Sequence, residues 1–265
     1  MEKTLEFPVL LRLIDERSTA LRAAVTSASG LELRVPTCPE WTLLDLVQHL
    51  GGVHRYWAAA VSAGPADTPP AESMSERAGA APQEREALLA WSAASTRELL
   101  DALREAGPDR GCWTWWGQSQ SPQTAGAVAR HQLQEVSVHT YDAQITVGTP
   151  QPLPDEAALD GVEEFLSTCV AWTLPWPHEA AAVDFHVTEG RSWRLSVTAD
   201  GARSTAFPTP GMIPASAAGQ VLDRAAASAR GTANEMVLAL YDRMPLDSLQ
   251  IEGDRRLFDL LREWE

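Results

Sequence analysis

His131-Gln-Leu-Gln-Glu135-Val-Ser-Val-His139-Thr-Tyr-Asp142 decides how the chain is read. Residues four apart share one face of a helix, so His131, Glu135 and His139 form a stripe with Asp142 close below it. Imidazole and carboxylate are the ligand types a borderline divalent ion such as zinc prefers. The positions around the stripe are small or apolar (Ala127, Val128, Val138, Ala143), so Glu135 is partly withdrawn from water. A buried carboxylate without a cation is unfavourable by several kcal/mol. The stretch therefore predicts a helix packed among other helices, with a metal or a cation at its centre. His131, Glu135 and His139 together span two turns, about 12 Å, too far to meet at one ion. A second helical segment, Trp41-Thr-Leu-Leu-Asp-Leu-Val-Gln-His49-Leu-Gly-Gly-Val-His54, offers His49 as third ligand instead. On this reading His131 lies behind the site or on the surface, and His54, about 500° beyond His49, points elsewhere, to the surface or between helices.

Apolar spacing predicts three more helical stretches: 5–27, 42–62 with Thr42 as N-cap and Asp45 three residues on, and 83–105. With the stripe helix over 124–146 they make a four-helix bundle, in which metal sites form between facing helices. Residues 29–40 and 63–82 read as a loop and a surface connection. Gly51-Gly52 inside the second helix implies either close helix approach or room for a ligand beside His49. The proline-rich Gly148-Thr-Pro-Gln-Pro-Leu-Pro154 predicts a boundary between domains 1–150 and 151–265. The second domain reads as small and α+β. It has a helix over 155–173, a hairpin of 182–187 and 192–198 about Gly190, a strand or loop at 215–222, a helix from 231 to 243 ended by Pro245, and a last helix over 254–264.

Length and composition set limits. The chain has 265 residues, 45% hydrophobic and 22% charged, as expected of a globular protein. A net charge of −15 argues against nucleic acid or an anionic membrane as partner and leaves a small-molecule substrate. The N-terminus does not read as a secretory signal and no apolar run spans a membrane, which predicts a cytoplasmic protein. Its three separated cysteines, Cys38, Cys112 and Cys169, predict reduced thiols, with neither Cys38 nor Cys112 a nucleophile. Trp113, Trp115 and Trp116, before the stripe helix, either wall a cofactor pocket or plug the bundle end. Arg243 is a candidate for holding a substrate carboxylate, or a helix-end cation; Arg130 and Arg55 are similar candidates.

Val35-Pro-Thr-Cys-Pro-Glu-Trp41-Thr-Leu-Leu-Asp45-Leu-Val-Gln-His49-Leu-Gly-Gly-Val-His54-Arg resembles the opening motif of the mycothiol-dependent maleylpyruvate isomerase family. Gln123-Thr124, Arg130, Glu135, His139 and Asp142-Ala143 are similar to its metal-helix motif, and the stretch from Gly231 to Asp254 to its second domain. The resemblance implies an α+β fold: an N-terminal DinB-like four-helix bundle and a sterol-carrier-protein-like C-terminal domain. It implies zinc (or another divalent ion) on His49, Glu135 and His139 with water in the fourth position. Asp142 would accept the free ring N–H of a ligand histidine or bind substrate. It also implies mycothiol, a thiol of actinobacteria, as cosubstrate and a small electrophile as second partner; a monomer or weak homodimer is expected. Activation of that thiol for S-transfer or for maleylpyruvate-type cis-trans isomerisation is the expected activity. A metal-dependent hydrolase and a non-catalytic binding protein are the alternatives. Members often carry His before the metal Glu and Arg-Trp after the metal His, where this chain has Gln134 and Thr140-Tyr141.

Overall fold

The computed structural model describes residues 5–79, 81–207 and 224–264, and it mixes helix and sheet. It divides into two compact units: residues up to 117 with Pro122–Ala157, and Gln118–Ser121 with the residues from 158 onward.

The first unit holds, among the described residues, four long helices: α1 (Phe7–Ser27), α2 (Leu43–Ala63), α4 (Arg85–Ala106) and α5 (Ala125–Thr146). These agree with the predicted helices to within two residues at each end. Apolar side chains at helical spacing close the core between them, with Ile14, Leu21, Val25, Leu46, Val47, Leu99, Leu103 and Leu133 all fully buried. A short helix, α3 (Met74–Gly79), interrupts the stretch expected to be plain connection.

The 29–40 segment is not a plain loop. Residues Arg34–Val35 (β1) and Cys38–Thr42 (β2) pair antiparallel, with a register shift between Arg34 and Val35. Leu43 N–H and Leu44 N–H bond back to the carbonyls of Leu33 and Leu31, tying this hairpin to the start of α2. Pro36 and Pro39 hide such a short ribbon from any periodicity test.

Gly51 and Gly52 mark close packing. A Cβ on Gly51 would lie 2.0 Å from the Trp91 ring of α4, and one on Gly52 would lie 2.7 Å from the Met74 carbonyl and 2.8 Å from the Ala78 nitrogen of α3.

The second unit is a five-stranded sheet in the order β5-β4-β3-β6-β7: β3 (Ala181–Val187), β4 (Ser192–Thr198), β5 (Gly201–Phe207), β6 (Ala227–Gly231) and β7 (Gln250–Gly253). Only the β3–β6 pair is parallel. The predicted hairpin is β3–β4, with Phe185 opposite Trp193 and Gly190 turning at φ 90°. Asp184 and Arg194 face each other across it in a buried bidentate pair at 2.6 and 2.7 Å. The helix expected over 155–173 is α6 (Asp155–Glu164), which widens into a π-helix over Phe165–Val170. The 231–243 helix is shorter, α7 (Ala233–Leu240), opened by a capping box between Thr232 and Glu235; α8 (Arg256–Glu263) is last. Strands β5, β6 and β7 had no sequence signal, and the 215–222 expectation lies outside the described residues. No helix of the described residues is long and apolar enough to cross a membrane.

Candidate metal centre

Two helices and the hairpin build the site within the first unit. Thr42 caps α2: its backbone N–H bonds the Asp45 carboxylate at 2.8 Å and its hydroxyl oxygen faces Asp45 N–H at 3.3 Å. Such reciprocal caps fix where a helix begins, and so where His49 stands two turns in. Thr42 bonding to the Asp45 carboxylate also holds that group below its ordinary pKa. Thr124 caps α5 through Ala127 N–H at 3.3 Å, which places Glu135 and His139 one turn apart on one face.

The three expected ligands meet. His49 Nε2 lies 2.9 Å from Glu135 Oε1, and His139 Nε2 lies 3.4 Å from the same oxygen. One ligand atom from each residue falls within 4.8 Å of the others. At zinc bond lengths near 2.05 Å, tetrahedral ligand atoms stand about 3.3 Å apart, so the donor set and its spacing fit such an ion. His139 is 8% exposed, Glu135 21% and His49 30%, so the cluster opens toward solvent on the α2 side.

Asp142 backs the cluster. It is fully buried, and its Oδ2 accepts the Nδ1–H of His139 at 2.8 Å. A carboxylate has no proton to give, so Nδ1 carries the hydrogen and Nε2 is left for the metal side. The other carboxylate oxygen accepts the Thr37 hydroxyl at 2.6 Å, and the Cys38 thiol lies 3.8 Å from Oδ2. Burial works against charge on both His139 and Glu135, but each answers the other. Glu135 and Asp142 raise His139 to about 9, and the two histidines hold Glu135 well below the carboxylate range.

The aromatic ring at the site is Trp41 of β2. Its centroid is 4.6 Å from that of His49 and 5.7 Å from that of His139. The sequence reading assigned no role to Thr37, in the segment taken for loop, or to Trp41, at the head of the stretch taken for helix; a hydroxyl and an indole five residues or fewer before a helix cap were the available signal. Trp113, Trp115 and Trp116 gather instead around Trp57 and His131, with centroids 5.1 to 6.4 Å apart, and Trp116 is fully buried. His131 thus packs among indole rings. His54 is 1% exposed between helices, its Nδ1 3.3 Å from Thr96 Oγ1, and burial pushes it down to about 3. Burial pushes the Cys112 thiol up to about 11, in line with an inert cysteine.

The arginine candidates are placed less tellingly. Arg130 is half-buried on α5, five positions before Glu135 and hence about 140° around the helix from it. Arg243 belongs to the second unit, just past α7, where its guanidinium donates to the Tyr241 carbonyl at 2.7 Å. Gln134 and Thr140, the departures noted above, turn into the packing around α5. Gln134 is fully buried and bonds the Ala157 carbonyl at 3.2 Å, while Thr140 Oγ1 lies 2.6 Å from the Val136 carbonyl and 3.0 Å from that of Arg17.

Residues 11–144 match the family model described as the mycothiol maleylpyruvate isomerase N-terminal domain, and residues 156–260 match that of its C-terminal domain. Two crystal structures of the mycothiol-dependent maleylpyruvate isomerase share the fold. One, a histidine-to-alanine mutant, is 15% identical with a TM-score of 0.64; the other is 14% identical with a TM-score of 0.63. Each alignment covers 94% of this chain and 95% of the other. No curated protein matches the chain.

Proposed function

The chain belongs to the mycothiol maleylpyruvate isomerase family, and from that premise we propose that it is a zinc- and mycothiol-dependent enzyme acting on a small electrophile. The observation that carries the reading is the convergence of His49, Glu135 and His139, with Asp142 behind His139. These three side chains would hold the ion. Bound there, zinc supplies Lewis acidity that lowers the pKa of a thiol from about 8.5 toward neutrality.

The remaining work falls to the chain itself. Asp142 keeps the proton on His139 Nδ1, which holds that ring in one tautomer. Trp41 stands against both imidazoles, its ring tilted to each, and offers an apolar surface beside the donor set. A thiolate adding to a cis-enedione acid turns the double bond into a single bond. Rotation about that bond and expulsion of the same thiolate return the trans isomer and the thiol unchanged. With a substrate that carries a leaving group, the same attack expels that group and leaves an S-conjugate.

Metal analysis and turnover test the reading together. About one zinc per chain is expected in the wild type and little in His49→Ala, Glu135→Ala or His139→Ala. Mycothiol should be required for isomerisation or consumed in conjugation. Full zinc occupancy in all three variants would overturn the metal assignment, and turnover without any thiol would favour a hydrolase.

A further inference from the structure

The Asp142 carboxylate is fully buried; the Cys38 thiol lies 3.8 Å from Oδ2, and the carboxylate's two shortest hydrogen bonds come from different elements. Oδ2 takes the His139 ring N–H at 2.8 Å and Oδ1 takes the Thr37 hydroxyl at 2.6 Å. Thr37 lies 105 residues before Asp142 in sequence, in the turn between β1 and β2. That turn is itself fastened. Leu43 and Leu44 bond back to Leu33 and Leu31 at 2.9 and 3.0 Å, and the Arg34 guanidinium donates to the Glu40 carbonyl at 2.9 Å. The same hairpin lays Trp41 on His49 and His139.

A carboxylate bonded through one oxygen can turn about its terminal torsion, which is broad and roughly twofold. Bonded through both oxygens from two different elements, it cannot turn without breaking a buried hydrogen bond, and an orphaned buried acceptor is unfavourable by about 1–3 kcal/mol. We propose that Thr37 is a positioning residue of the metal centre: acting through Asp142, it fixes the His139 ring with Nε2 turned toward Glu135. Its purpose rests on the zinc reading above; the ring geometry it predicts exists without a metal.

The test compares wild type, Thr37→Val, which keeps the shape and removes the donor, and Thr37→Ser, which keeps the donor. In the metal-free protein, nuclear magnetic resonance of the histidine side chains should show a protected His139 Nδ1–H in wild type and Thr37→Ser. In Thr37→Val that proton should exchange at least about tenfold faster or vanish. Zinc affinity, measured by competition with a chelator, should fall about tenfold in Thr37→Val and stay within about twofold in Thr37→Ser, as partners behind metal ligands behave. A Thr37→Val protein with a lower Tm but an unchanged Nδ1–H signal and unchanged zinc affinity would reduce Thr37 to a stabilising contact and overturn the proposal. If Thr37→Val does not fold, Thr37→Ser decides, since loss of its Nδ1–H signal is equally fatal. If the wild type takes up no zinc, the metal reading fails, while the resonance comparison still rules on Thr37.

Discussion

Asp142 and His139 stand three residues apart on one helix, with Oδ2 2.8 Å from Nδ1, and the carboxylate is wholly shut off from solvent. An ion pair of this kind is made by local helix geometry, yet it sets which nitrogen of His139 faces Glu135. Replacing Asp142 by Ala should weaken zinc binding about 10–100-fold. Chelator competition measures this, and an affinity equal to wild type would strip Asp142 of its orienting role.

Zinc uptake should release protons. With His139 raised to about 9 in the metal-free protein, its ring arrives protonated at pH 7 to 8 and must give up that proton to bind. Affinity should therefore climb by about tenfold per pH unit until the pH passes 9 and fall as the medium is acidified. Titration calorimetry at pH 7.5, in buffers of different ionisation enthalpy, should count about one proton released from this ring. Zero release would contradict the assignment.

His54 should make the fold acid-sensitive. Its folded pKa, about 3, lies below the 6.5 of an exposed ring, so between these values the unfolded chain binds a proton that the folded chain refuses. Its stabilising effect is whole above pH 6.5 and is lost as the pH falls toward 3. The slope reaches about 1.4 kcal/mol per pH unit. Urea unfolding at pH 5.5 and 7.5 should show wild type losing about 1.4 kcal/mol more than His54→Gln between the two. Parallel losses would mean that His54 charges inside the fold.

Gly52→Ala should destabilise the protein by about 1–3 kcal/mol, although alanine is the better helix former by about 1 kcal/mol. The added methyl meets backbone atoms of Met74 and Ala78, which cannot rotate away. A rise in Tm would show that α3 yields easily.

The long helices of the first unit were legible because their apolar residues recur with the helical period and because Thr42 and Thr124 announce their starts. The clustering of His49, Glu135 and His139 was legible for the same reason: Glu135 and His139 are a local pair, and one further histidine on an apolar face joins them. Alternation also marked the β3–β4 hairpin, but other strands left no periodic trace. The β1–β2 hairpin is two residues on one side and carries prolines, so nothing in its pattern alternates. Strand β6 reads Ala-Ser-Ala-Arg-Gly and pairs in parallel with a strand some forty residues earlier, a relation that only long-range packing creates. The tryptophan trio was recognisable as a cluster, but its partner, Trp57 rather than His49 and His139, depends on how α2 and α5 lie against each other.

His49 and Glu135 are 86 residues apart along the chain. An ion gripped by both would act as a removable staple across that span, and closing a loop of such length restricts the unfolded chain far more than the folded one. Loading with metal would then harden the whole helical unit against heat and proteases, and the depleted protein would be the form a cell clears first.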